Sequence, residues 1–296
     1  MLSPSFTTLR DGGIDHLGIR TQKGIVDVAQ AARALEIPDP PLTVDDLLAG
    51  RGNIASLQRI AEQAPAGAIR AEDSVDFGPL VSAPPKIVCI GLNYRGHLAE
   101  TGMPTQTVPD LFNKYNTALN RHNGTIAVST LNAKEFDYES ELVVLIGKEA
   151  RNVSEADALS YVFGYTAGND FTARDLQLRT SQWMTGKTPD GFAPTGPWLV
   201  PADQIGDPQT LRIQTFVNDE TTPRQDVNTS EMIFSVAQII SYTSQFITLQ
   251  PGDVIFTGTP GGVIWGYPKE ERVWLKAGDR ITTRISKLGE LRVSLV

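Results

Sequence analysis

The 296-residue sequence predicts an α+β fold: a mixed, mainly antiparallel β-roll or barrel over residues 84–296, with a small α/β accessory domain over residues 1–80. Three observations predict it. From Lys86 onward, short β-runs are separated by Gly and Pro turns. Only two helical patterns interrupt these runs, so the regular strand–helix alternation of a doubly wound sheet is missing. Residues 1 to about 80 carry instead a hairpin pattern and two capped helices, and Pro84-Pro85 punctuates the junction.

In order, residues 16–20 and 25–28 flank Thr21-Gln22-Lys23-Gly24 and read as a β-hairpin. Thr43 is placed to cap a helix over 44–49, and Asn53 a helix over 54–63 that stops before Pro65. Residues 75–85 read as a strand and linker. Extended runs follow at 86–90, 109–114, 124–128, 139–146, 163–169 and 211–218. The two interrupting helices are expected at 155–161, capped by Ser154, and near 231–246, capped by Thr229 or Ser230. Leu249-Gln250-Pro251-Gly252-Asp253 has the Pro and Gly of a type II turn. A strand at 254–257 opens into Gly258-Thr259-Pro260-Gly261-Gly262, and a hairpin of 280–285 with 291–296 ends the chain.

Composition narrows the function. A net charge of -8 argues against general nucleic-acid binding, which needs a basic face. Cys89 is the sole cysteine, which rules out an internal disulfide and thiolate metal sites. No signal-peptide pattern and no apolar run of about 18 residues is present, so a cytoplasmic protein without a membrane span is expected.

The chemistry begins at Asp137-Tyr138-Glu139-Ser140-Glu141, which leads into the apolar run Leu142-Val143-Val144-Leu145-Ile146. Residues i and i+2 of a strand share a face, so Glu139 and Glu141 emerge together, about 7 Å apart along the backbone. Asp170 ends a second strand pattern. Acids on a wet sheet edge are one reading. The apolar run argues for burial, which leaves a glycosidase-like acid pair or an oxygen-only divalent-ion site. His97 and Glu100 stand at i and i+3, close enough on a helix for the carboxylate to orient a general base; a surface pair is the plainer reading. Arg174 and Lys187 are either surface cations or partners for a substrate carboxylate or a developing negative charge. The Gly258–Gly262 segment offers N–H groups to an anion but lacks the Gly-Lys-Ser/Thr of a phosphate loop.

The order of these blocks is more specific than any one of them. N-Y-x-x-H-x-x-E, F-N-K, D-Y-E-S-E-L-V-V-L-I-G-K, G-Y-T-A-G-N-D-F-T-A-R-D-L-Q, Q-W-x-x-G-K, F-A-P-T-G-P-W, Q-D-x-N-T-S-E-M-I-F and L-Q-P-G-D-V-I-F-T-G-T-P-G-G-V closely resemble the fumarylacetoacetate hydrolase family over residues 84 to 296. The resemblance implies a β-roll catalytic domain, a homodimer, and Mg²⁺ or Mn²⁺ (Ca²⁺ as a substitute) on Glu139, Glu141 and Asp170. It implies a water-activating dyad of His97 and Glu100, a catalytic Lys187, and substrate contacts by Arg174, Gln177, Thr259 and Lys114. Pro189, Lys114-Tyr115 and the hairpin at 218–225 depart from the family pattern. The implied activity is metal-dependent hydrolysis of a C–C bond in a 2,4-dioxo acid of acylpyruvate type, through a metal-stabilised enolate. Oxaloacetate-type decarboxylation or tautomerisation, 2-hydroxymuconate-type isomerisation and sugar-acid dehydration use the same enolate. A non-catalytic metal- or small-molecule-binding protein is the alternative of a different class.

Overall fold

A computed structural model describes residues 4–296. Its main sheet has eleven strands. In spatial order these are Ile69–Arg70, Gly24–Asp27, Ile14–Thr21, Ser5–Asp11, Ala193–Pro201, Val162–Asn169, Ser140–Ile146, Val254–Phe256, Ile87–Gly91 and Asp110–Lys114, with Leu119–Asn120 beside Ala193–Pro201. A five-stranded sheet, ordered Gln225–Asn228, Arg212–Val217, Arg280–Ile285, Gly289–Leu295 and Gly124–Ile126, packs against it. Pairing is antiparallel except at Val254–Phe256 with Ile87–Gly91, Gly289–Leu295 with Gly124–Ile126, and Ala193–Pro201 with Leu119–Asn120. The fold is thus mixed and mainly antiparallel, and both sheets stay open rather than closing into a barrel.

The central strand Ser140–Ile146 is buried at every position. Leu142, Val144 and Ile146 enter one core with Ile239, Ile240, Ile213 and Ile285. Val143 and Leu145 enter another with Cys89, Phe256, Leu17 and Ile19. A strand covered on both faces needs an unbroken apolar run, which is what residues 142–146 supply. The second core also holds side chains from the N-terminal 80 residues, and Phe6 pairs with Leu199 across the sheet.

Several elements differ from expectation. Val28 does not end the hairpin but starts the helix Val28–Ala34, capped by the Asp27 carboxylate. Thr43 caps Val44–Leu48 with a full capping box. Asn53 makes no side-chain cap, and a 3₁₀ turn precedes the helix Leu57–Gln63. Residues 75–85 form no strand, although Phe77 bridges to Leu9. The helix expected near 231–246 is Val236–Phe246, capped by Ser235 with Gln238 closing the box; Thr229–Glu231 is a 3₁₀ turn. Gly252 has φ +91°, as the third position of a type II turn requires. No helix among the described residues is long and apolar enough to cross a membrane.

Candidate active site

The carboxylates converge through strand pairing. Ser140 pairs with Asn169, and the next residue continues the ladder by donating the Asp170 N–H to the Glu139 carbonyl at 2.8 Å. This places Asp170 beside both glutamates, and one oxygen from each acid lies within 4.8 Å of the others. All three side chains are buried, so the wet-edge reading does not hold.

Cations meet two of them. Lys187 Nζ lies 2.7 Å from Glu139 Oε2 and 2.8 Å from Asp170 Oδ2. Arg174 lies 2.7 Å from Glu139 Oε1 and 2.9 Å from Asp137 Oδ2, and donates to Gln177 Oε1 at 3.0 Å. Burial alone would raise the Glu139 pKa, but Lys187 and Arg174 outweigh it and bring it to about 2. Burial likewise opposes the Lys187 charge, yet Asp170 and Glu139 raise its pKa, so it stays an ammonium. Glu141 differs. Burial, with Asp170 and Glu139 alongside, pushes it well above the usual carboxylate range. The Gly258 N–H donates to it at 2.7 Å. No ion pair among the described residues involves it.

That contrast tests the fit of a divalent ion. The donors are oxygen-only, buried and convergent, which suits a hard cation. Glu141 is the acid that no ion pair among the described residues holds charged, and a bound cation is what would hold it ionised. The site fits a hard divalent cation on Glu139, Glu141 and Asp170.

His97 sits on the short helix Arg95–Thr101. Its Nδ1 lies 2.8 Å from Glu100 Oε1, while Glu100 Oε2 accepts the Gly262 N–H at 2.7 Å. Glu100 is therefore fixed between helix and loop, and the imidazole proton belongs on Nδ1, leaving Nε2 as the basic nitrogen. His97, Glu139, Arg174, Gln177, Lys187 and Thr259 all line one cavity of about 130 Å³. Thr259 donates to the Ser140 carbonyl at 3.1 Å and accepts from Gln225 Nε2 at 2.9 Å, so its hydroxyl proton is already committed. Lys114 is placed elsewhere. It contacts Asp170 Oδ1 at 2.5 Å, donates to the carbonyls of Lys187 and Phe192, and lies off the cavity wall. In this position it supports Asp170.

Two further side chains support the site. Asp137 is fully buried and accepts from Arg174, Tyr138, Ile264 and Trp265, so it ties the arginine to the loop after Gly262. Gln225 holds Thr259 and the Pro260 carbonyl. Asp137 stands two residues before Glu139 in the same acidic block, which was the available signal. Gln225 opens the block Q-D-x-N-T-S-E-M-I-F.

The chain belongs to the fumarylacetoacetate hydrolase family: residues 86–296 match its Fumarylacetoacetate (FAA) hydrolase C-terminal domain. It is 42% identical over 271 residues to the 2,4-didehydro-3-deoxy-L-rhamnonate hydrolase of Sphingomonas sp. (strain SKA58), covering 91% of this chain and 90% of that one. It is 37% identical over 279 residues to the mitochondrial oxaloacetate tautomerase FAHD2A of Bos taurus, covering 93% and 85%. The crystal structure of maleylpyruvate hydrolase from Sphingobium sp. SYK-6, in complex with manganese(II) and pyruvate, superposes with a TM-score of 0.77 at 30% identity and covers 99% of each chain. A general catalytic role of this family's type follows, and the manganese in that relative joins the buried acids here in supporting divalent-metal binding.

Proposed function

We propose that the chain hydrolyses a C–C bond of a 2,4-dioxo acid, giving pyruvate or a related 2-oxo acid and a carboxylic acid. The observation that carries this reading is the His97–Glu100 pair on the wall of the cavity that Glu139 and Lys187 also line. A site that only held a small molecule would not need an oriented, buried base. Support comes also from the Sphingomonas relative, whose substrate name describes a sugar acid oxidised at carbons 2 and 4.

A divalent ion on Glu139, Glu141 and Asp170 would supply Lewis acidity towards a 2-oxo acid. The chain's own groups do the rest. Arg174, held by Asp137, Glu139 and Gln177, keeps one buried amino group without a partner, and that donor suits the substrate carboxylate. His97 Nε2 takes a proton from water, whose oxygen bonds to the distal carbonyl carbon. The bond between that carbon and C3 breaks, its electron pair stays with C3, and C3 takes a proton. Lys187, held charged by Glu139 and Asp170, offsets the negative charge as it develops.

A second reading is tautomerisation of an oxaloacetate-type acid, favoured by the 37% identity to the Bos taurus tautomerase. There His97 would move a proton without water being added. Assays of acylpyruvates and of enol-oxaloacetate with Mg²⁺ or Mn²⁺, each repeated in chelator, separate the readings. We expect acylpyruvate cleavage that chelator abolishes; full cleavage in chelator would sink the metal site, and tautomerisation without cleavage would favour the second reading.

A further inference from the structure

We infer that the distal group of the substrate is uncharged and apolar, and that this chain rejects 2-oxo acids carrying a second carboxylate. The inference rests on the proposed reaction at this site and names the substrate class within it.

The charged groups of the cavity, Glu139, Arg174 and Lys187, are held together by ion pairs, and Lys187 Nζ also stands 5.3 Å from the centre of the Phe112 ring. Much of the remaining wall is Leu92, Met103, Phe112, Leu178 and Trp183. The lysine and arginine side chains on that wall are Arg174 and Lys187, and both already pair with carboxylates. The unpartnered amino group of Arg174 suffices for one substrate carboxylate. A second, further along the chain, would lose its water against apolar side chains and meet no cation. Arg179 does not supply one: it is exposed and donates to the Asp175 carbonyl at 3.1 Å.

The apolar wall is also built rather than incidental. Trp183 adopts φ +36°, a left-handed conformation that costs a tryptophan free energy and is kept where surrounding structure enforces it. Its ring meets Phe112 edge-on at 5.4 Å. Gly91 leaves the ring its space, since a Cβ there would stand 2.8 Å from it. Met103 and Leu178 are 38% and 53% exposed. Apolar side chains exposed on the wall of a site gain by covering an alkyl group and gain nothing from an anion.

Two substrates of equal length test this: 2,4-dioxoheptanoate and 2,4-dioxoheptanedioate, hydrolysed by the metal-loaded protein. Binding of 2-oxopentanoate and 2-oxoglutarate to the same protein, measured by calorimetry, gives a readout independent of turnover. We expect kcat/KM and affinity each to favour the monocarboxylate by at least about tenfold. Leu178→Arg, at an exposed position, should raise kcat/KM for the dicarboxylate about tenfold by supplying the missing cation. A wild-type protein that treats the two acids alike, or prefers the dicarboxylate, overturns the inference. If neither substrate is cleaved yet 2-oxopentanoate binds more tightly, the proposed reaction fails and the apolar specificity stands.

Discussion

A carboxylate as deep as Glu139 stays ionised because Lys187 and Arg174 each stand 2.7 Å from one of its oxygens. Those pairs lower its folded pKa to about 2 from an ordinary 4.5. Their stabilisation is therefore complete above about pH 4.5 and is lost as the pH falls towards 2. Denaturant titrations between about pH 6 and pH 3 should show the wild type losing stability on acidification more steeply than Glu139→Gln. At neutral pH that variant should be less stable by about 3 kcal/mol, since Lys187 keeps Asp170 and Arg174 keeps Asp137. Equal slopes for the two proteins would remove the ion pairs from the account. For His97→Ala, kcat should fall about 10²- to 10⁴-fold with KM little changed; a rise in KM at constant kcat would make His97 a binding residue. The acids, the dyad and Lys187 were legible in the sequence because each stands in a compact block. Asp137 and Gln225 also stand in such blocks, but their supporting roles were not legible, because their bonds join residues far apart: Asp137 meets Ile264 and Trp265 from 127 and 128 positions away.

Short elements deliver the site, and two of them depend on a missing Cβ. A Cβ on Gly266 would stand 2.3 Å from the Glu100 carboxyl carbon, so Gly266→Ala must push Glu100 off His97. Glu100 is a flexible side chain, so the fold should survive while kcat falls at least about tenfold. Circular dichroism checks the first half and steady-state kinetics the second; unaltered kcat would mean that Glu100 does not orient the base. Gly186 lets the turn Met184–Lys187 approach the Gln177 backbone, where a Cβ would come within 2.3 Å of its N–H nitrogen. Most strands were legible to within a residue or two, since apolar runs between Gly and Pro mark them. Ser5–Asp11 and Ala193–Pro201, which pair with each other and so join the N-terminal strands to the body, were missed; in the second, Pro194, Gly196 and Pro197 speak against a strand. The long helix starts late because Ser235 with Gln238 is a better cap than Thr229 or Ser230.

At the scale of the whole molecule, the sheet runs unbroken from Ile69–Arg70 through the metal-site strand to Asp110–Lys114. Ligand binding at its centre should therefore stabilise the fold as a unit. Saturating Mn²⁺, about 100 times its dissociation constant, contributes about 2.7 kcal/mol, which should raise Tm by several degrees. Glu141→Gln should abolish that rise while leaving the metal-free protein no less stable, because Glu141 is a buried acid that makes no ion pair among the described residues. A full Mn²⁺ shift in this variant would place the ion elsewhere. The mixed, mainly antiparallel fold was legible from strand spacing, whereas the open edges and the shared N-terminal core depend on pairings between distant segments, such as Phe6 with Leu199.

Hydrolysis of a 2,4-dioxo acid puts oxygen from water into the released carboxylic acid. Turnover of 2,4-dioxoheptanoate in H₂¹⁸O, followed by mass spectrometry, tests it most directly. We expect one ¹⁸O in the carboxyl group of the released butanoate, none in the carboxyl group of pyruvate, and no label incorporation with His97→Ala. Release of CO₂, or recovery of the substrate uncleaved, would contradict it.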